Sequence, residues 1–116
     1  MRFDLRERTY KYAVAVVKFI YKINGDRNAY SIFNQLMRSA TSIGANIEEA
    51  DSSPTRKDFK YKMVISKKEA AETVYWLKII IDANLLNNAD NIIKAGELLE
   101  EGNQILRILG SIVRKI

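Results

Sequence analysis

The stretch that decides the fold is QLMRSATSIGANIEEA, residues 35–50. Its apolar side chains recur at steps of three and four residues, which places them on one face of a helix. These apolar residues are Leu36, Ala40, Ile43, Ile47 and Ala50. A second stripe beside them is small and polar where a solvated helix would carry lysine and glutamate. That second stripe consists of Gln35, Arg38, Ser39, Ser42, Ala45, Asn46 and Glu49. We therefore expect another helix to pack closely here, in a segment that serves packing and assembly and not catalysis.

Three breaks in the helical pattern divide the chain into four amphipathic segments. The breaks are residues 24–28, residues 51–55 around the single proline Pro54, and residues 84–90. The helices that this pattern predicts are 4–23, 29–51, 55–84 and 90–115. No segment alternates as a strand would. The sequence therefore predicts one all-α domain over residues 1–116, an antiparallel up-down-up-down four-helix bundle.

The first and third helices each carry a second apolar stripe. The members of these stripes are Tyr10, Val14, Val17 and Tyr21 in the first helix, and Ile65, Trp76 and Ile79 in the third. A monomeric bundle would leave such surface exposed, and large exposed apolar patches mark interfaces. We therefore expect a homo-oligomer. The alternative is that each pair of stripes is one broad core-facing surface.

The composition removes most catalytic chemistry. The chain contains no Cys and no His, which excludes disulfides, thiol and imidazole catalysis and the usual zinc sites. Di-iron bundles need Glu-x-x-His pairs, so that site is excluded too. No glycine-rich phosphate loop or nucleophile elbow is present. We expect no catalytic residues, no bound metal and no cofactor, and hence a protein that is not an enzyme.

The charge is basic and unevenly distributed. The net charge is +5: residues 1–23 carry +4, residues 24–51 carry −2, residues 52–84 carry +3, and residues 85–116 carry 0. A basic protein favours an acidic partner such as RNA or DNA. The candidate nucleic-acid contacts are a ridge of Arg8, Lys11, Lys18 and Lys22 on the first helix, extended on the third by Arg56, Lys57 and Lys60. Such a ridge neutralises phosphates and releases counterions, and neighbouring tyrosines stack on unpaired bases. An ordinary solvated face explains the ridge equally well.

Polar residues of the second helix are better explained by packing. A half-buried Arg38 needs a carboxylate, and Glu69 and Glu72 on the third helix are the natural partners, within one chain or between two. Asn46 is expected to be a satisfied polar residue at a helix crossing.

The sequence gives no sign of a membrane protein. There is no run of about 18 apolar residues, so no transmembrane helix is expected. The first twelve residues carry charges of both signs and lack an apolar stretch, so we expect no signal peptide and a cytoplasmic location.

Several motifs together resemble the family of 23S ribosomal RNA intervening-sequence proteins. They are residues 35–50, the pair Phe59-x-x-x-Met63, the stretch KKEAAETVYWL at 67–77, and the opening FDLRERTYKYA at 3–13. The family motif often has glycine where this chain has Ala50, a mild departure. The resemblance covers nearly the whole chain, and it implies a four-helix bundle that assembles into a ring-like homopentamer linked to RNA.

A related branch of that family looks like the accessory protein of diversity-generating retroelements. That protein is a basic pentamer that binds nucleic acid and a reverse transcriptase. The positions matching the family pattern are Arg38, Ser39, Ser42, Asn46, Glu69, Glu72 and Trp76. The resemblance implies roles in helix and subunit packing for them. The sequence thus predicts a non-enzymatic, oligomeric, RNA-binding bundle, with a protein scaffold or reverse-transcriptase accessory subunit as the alternative.

Overall fold

The computed structural model describes residues 2–23 and 27–116, with side chains from Asp4 onward in the first range. The helices are α1 (Arg2–Lys22), α2 (Tyr30–Asp51), α3 (Arg56–Asp82) and α4 (Ala89–Lys115), with a 3-10 turn at Arg27–Ala29 before α2. The described residues therefore form four helices and no strand, which confirms the all-α prediction. Each predicted helix boundary lies within two residues of the observed one. The predicted break at 24–28 lies partly outside the described residues.

The helices pack around one core in an elongated molecule that measures 46 × 21 × 20 Å. Helix α2 packs against α1 and α3, and α4 packs against α3 and α1. Within the described ranges, no Cα atom of α1 comes within 8 Å of one in α3, nor does α2 approach α4 in this way. The helices therefore follow one another around the core, with α1 and α3 on opposite sides of it. The seam between α1 and α4 is the loosest of the four.

The ends of α3 show why the chain turns where it does. Thr55 accepts a hydrogen bond from the backbone N–H of Asp58 at 3.0 Å, which satisfies a free donor of the first turn. At the other end Asn84 has a φ of 56°, a left-handed conformation that asparagine tolerates. The N–H of Leu85 then donates to the carbonyl of Ile80 at 3.1 Å. This left-handed cap ends α3 at Asp82, two residues before the predicted end.

Small polar side chains let α2 and α3 approach closely. Thr73 donates to the hydroxyl of Ser39 at 2.9 Å, and Ser39 donates to its own helix at the carbonyl of Leu36. Ser66 of α3 donates to the carbonyl of Ile43 at 2.8 Å. All three hydroxyl residues are fully buried. Burying a hydroxyl group costs free energy unless it is hydrogen-bonded. These hydrogen bonds therefore offset the cost of burying the three hydroxyl groups, and those of Thr73 and Ser66 also join α3 to α2.

Helix α1 is anchored to α4 by one buried phenol. Tyr12 is 3% exposed and donates to the carbonyl of Leu98 at 2.7 Å. Gly102 lies directly below that hydroxyl, because a Cβ at this position would stand 2.7 Å from the oxygen of Tyr12. The glycine therefore makes room for the phenol between α1 and α4.

Candidate nucleic-acid interface

Arg38 joins α2 to α3 within one chain. Its Nη1 donates to Glu69 Oε1 at 3.0 Å, its Nη2 donates to Glu72, and its Nε donates to Gln35 at 3.0 Å. Burial opposes the charge of Arg38, but the interactions with Glu69 and then Glu72 leave its pKa raised. The side chain of Glu69 is only 14% exposed, so water screens the pair incompletely. The structure thus brings together the three residues that the sequence paired. Because the guanidinium of Arg38 is bound to two carboxylates, it is a poor candidate for a phosphate contact.

The other polar residues of the family pattern bond within their own helix or pack beside it. Ser42 donates to the carbonyl of Arg38 at 2.6 Å, and Asn46 donates to the carbonyl of Ser42 at 2.8 Å. Trp76 is half-buried and meets the ring of Tyr75 edge-on, with ring centroids 5.3 Å apart. Its indole Nε1 is buried and has no hydrogen-bond partner in the part of the chain that the structure describes.

Half of the predicted ridge on α1 is engaged by carboxylates. Arg8 donates from Nε and Nη2 to the two oxygens of Glu101 at 2.7 and 2.8 Å, and also to Gln104 at 2.9 Å. The hydrogen bond with Glu101 raises the pKa of Arg8. Lys11 lies 2.8 Å from Glu7, whose hydrogen bond raises the pKa of the lysine. These two cations therefore stabilise the α1 surface and have less charge to offer a ligand.

The remaining two members of the ridge border an open cleft. Lys18 and Lys22 are exposed and have no ion-pair partner among the described residues. Both line a cleft of about 720 Å³ between α1 and α4. Lys94 stands on the α4 side of the same cleft. Sequence reasoning missed Lys94, because nothing in a single helix shows which residue faces it across a seam.

The second basic surface is the outer face of α3. Lys57, Lys60, Lys68 and Lys78 are exposed on it, and Lys67 is half-buried beside them. None of the five has an ion-pair partner in residues 4–23 and 27–116. Two tyrosines stand on the same face, Tyr61 at 63% and Tyr75 at 58% exposure. The two glutamates of this helix are turned toward α2 by Arg38. With those glutamates turned away, the outer face between residues 59 and 81 carries lysines and aromatic rings and no carboxylate, and the exposed Asp58 and Asp82 stand at its two ends.

One expectation about these surfaces is wrong. The residues Arg56, Lys57 and Lys60 were expected to extend the α1 ridge. They do lie on α3, as expected, but α1 and α3 occupy opposite sides of the core, so these residues do not continue the α1 ridge. The chain therefore has two separate basic surfaces, and only Lys18 and Lys22 of the α1 ridge remain unpaired within the described ranges.

An apolar groove runs between α1 and α2. It has a volume of about 580 Å³. Its floor consists of Ala13, Val14, Val17, Thr41, Gly44 and Ala45, with Tyr10 beside them. Tyr10 is 67% exposed, and Ala45 is exposed on the small-residue face of α2. One end is closed by Arg6, which binds Glu48 at 2.8 Å and Asp51 at 2.9 Å. The second apolar stripe expected on α1 is thus open surface.

The described residues offer neither a carboxylate cluster for a metal ion nor a helix that could cross a membrane. No group of three Asp or Glu side chains there is placed to hold a metal ion. No helix in the same ranges has a stretch long and apolar enough to cross a membrane.

The fold and the surfaces define an all-helical, four-helix protein with two basic faces and an open apolar groove. The family of 23S rRNA-intervening sequence proteins matches residues 2–111, and the chain belongs to this family. A solved structure from Bacteroides thetaiotaomicron is similar, with a TM-score of 0.81 and 30% identity over 94% of this chain and 97% of that one. It is described as a protein of unknown function from the S23 ribosomal protein family. No curated protein matches significantly.

Proposed function

We propose that this protein is a non-enzymatic, oligomeric helical bundle that binds RNA through phosphate contacts. The observation that carries the proposal is the outer face of α3. Five lysines there surround two exposed tyrosines, and none of the five has an ion-pair partner among the described residues. Lysines that neutralise phosphates release counterions, and this gain supplies most sequence-independent affinity. A lysine already bound to a carboxylate contributes less, because binding would first have to break that pair. The α3 face is therefore a better candidate than the part of α1 that holds Arg8 and Lys11.

The tyrosines favour RNA with accessible bases. Bases stack on exposed aromatic rings, and sequence-specific RNA recognition targets unpaired segments. Tyr61 and Tyr75 stand among the lysines, so one strand can contact both kinds of side chain. Membership of the 23S rRNA-intervening sequence protein family agrees with an RNA partner.

The test compares two double variants that each remove two positive charges. Lys60→Gln with Lys68→Gln alters the α3 face, whereas Arg27→Gln with Lys115→Gln alters exposed cations outside that face. Affinity for RNA is measured at several salt concentrations. Each lost phosphate contact lowers the salt slope by about 0.7 to 0.9, so the α3 variant should lose up to about 1.8 and the control much less. Equal slopes in both variants would contradict the assignment to α3.

We further propose that copies of this chain associate through the groove between α1 and α2, with the antiparallel bundle as the repeating unit. The arrangement is supported by Arg6 near the start of α1, which binds Asp51 at the end of α2. The apolar floor of the groove and the small side chains of α2 suit the close approach of a helix from a second copy. The family resemblance implies a ring-like pentamer.

The oligomer is tested by placing a charge in the groove. Ala45→Glu should reduce the size of the assembly in light scattering at micromolar concentration, because it places a charge in the apolar floor that the second copy would cover. Ala71→Glu makes the same change on an exposed residue of α3 and should leave the assembly intact. A monomeric wild-type protein would refute the oligomer.

The same groove supports one other function, a protein-interaction scaffold. Its apolar floor is suited to a helix of a different protein, for instance a reverse transcriptase. Under that alternative, the wild-type protein is a monomer in the absence of its partner. Ala45→Glu then weakens the binding of that partner protein without changing the affinity for RNA.

A further inference from the structure

We infer that the cleft between α1 and α4 binds one unpaired nucleotide of a single-stranded RNA segment. This inference rests on the proposed RNA-binding function and adds to it a specific site. The cleft exists because α1 and α4 form the loosest seam of the bundle. Its volume of about 720 Å³ lies within the usual range of ligand pockets, about 300–1,000 Å³.

The lining of the cleft combines an apolar floor with a cationic rim. The floor is formed by Val14, Ala15 and Phe19. The rim carries Lys11, Lys18 and Lys22 from α1, with Asn91 and Lys94 from α4. Tyr21 also lines the cleft and is 82% exposed, so its ring is free to lie against a planar ligand. Asp90 is the one carboxylate among the lining residues that the structure describes.

These groups match the parts of a nucleotide. The base has flat faces that stack on an aromatic ring or an apolar surface, and its edge accepts and donates hydrogen bonds that an asparagine amide can make. The phosphate needs cations. Lys18 and Lys22 have no ion-pair partner in the described part of the chain, and Lys94 is only 3.6 Å from Glu97, a loose pair. The cleft thus offers cations to an anion as well as a surface to a base.

The geometry selects a single strand over a duplex. A base in a duplex is stacked and paired inside the double helix, whereas an unpaired base can turn into a cleft between two helices. Lys11, Lys18 and Lys22 span twelve residues of α1, about 16 Å of helix axis, and Lys11 is the one of the three that shares its charge with Glu7. That length accommodates phosphates on either side of the inserted nucleotide.

The test measures the affinity of the full chain for a single-stranded RNA and for a duplex RNA of equal length at one salt concentration. Tyr21→Ala should weaken single-strand binding about fivefold or more and leave duplex binding unchanged, while Tyr21→Phe should retain the wild-type ratio. Tyr30→Ala is the control, since Tyr30 is 54% exposed and lies outside the cleft. Circular dichroism confirms that each variant is folded.

The charged rim is tested in the same assay. Lys22→Gln with Lys94→Gln should lower the ratio of single-strand to duplex affinity. Arg27→Gln with Lys115→Gln removes the same charge outside the cleft and should leave the ratio unchanged.

Each outcome bears on a different claim. If Tyr21→Ala and the cleft double variant both keep the wild-type ratio, the inference is overturned although the proposed function stands. If the wild-type protein binds neither the single-stranded nor the duplex RNA, both the inference and the proposed function are refuted. Adenosine monophosphate is added as a competitor, because a free nucleotide shares the chemistry of the site. Displacement of RNA by micromolar adenosine monophosphate would overturn RNA as the occupant, whereas the RNA proposal expects little displacement.

Discussion

Gly102 should be intolerant of alanine because of the phenol of Tyr12. A Cβ on Gly102 would stand 2.7 Å from the Tyr12 oxygen, closer than real contacts of this kind. The phenol cannot move away freely, since it is buried and donates to the Leu98 carbonyl. Overpacking of this kind costs about 1–3 kcal/mol, and the displaced hydrogen bond adds about 1 kcal/mol. Alanine returns about 1 kcal/mol in helix propensity, so Gly102→Ala should destabilise the protein by about 1–3 kcal/mol.

A double-mutant cycle separates this clash from other effects. Tyr12→Phe removes the hydroxyl and should cost about 1 kcal/mol by itself. In its background the nearest atoms to the new Cβ are Val74 Cγ2 at 3.4 Å and Cζ of residue 12 at 3.5 Å, which are ordinary contacts. The double variant should therefore be close to wild type in free energy of unfolding, with a coupling of about 2–4 kcal/mol. Urea denaturation at one fixed protein concentration measures all four proteins. A Gly102→Ala variant as stable as wild type, or additive free energies, would refute the reasoning.

Three further outcomes follow from individual contacts. Thr55→Ala should cost about 1 kcal/mol in urea denaturation, because it removes the cap of α3, whereas an unchanged midpoint would contradict that role. Arg38→Ala should lower the free energy of unfolding by about 1 kcal/mol, because it leaves the largely buried carboxylate of Glu69 without its partner. Arg38→Lys should restore only part of that loss. Burial, and then the charge of Glu101, raise the pKa of Tyr12, so stability that is complete below about pH 10 should be lost as the pH rises beyond that value. Tyr12→Phe should reduce this loss of stability at alkaline pH. Identical curves of stability against pH for the wild type and the variant would contradict the role given to the Tyr12 phenol.

The sequence was sufficient for features that depend on one helix at a time. The steps of three and four residues from Leu36 to Ala50 predict α2, and an arginine on a small-residue face predicts a carboxylate partner. The structure supplies that partner in Glu69. The pattern within one helix could not predict contacts that depend on which helices are neighbours. Arg8 is engaged by Glu101, 93 residues away, only because α4 lies beside α1.

The same limit explains the error in the basic ridge. A list of cations along the chain cannot show that α1 and α3 lie on opposite sides of the core. Nor can it show that Arg38 turns the two glutamates of α3 toward α2 and leaves the outer face positive. Nor can it show that Lys94 lines the same α1–α4 cleft as Lys18 and Lys22.

The most direct test of RNA binding is a salt titration of wild-type affinity for a single-stranded RNA. With five lysines of the α3 face on phosphates, log K should fall against log salt with a slope of about −3.5. Doubling the salt concentration should then weaken binding about tenfold. A slope near zero, or no measurable binding at low salt, would contradict the central claim that this bundle binds RNA through its basic surface.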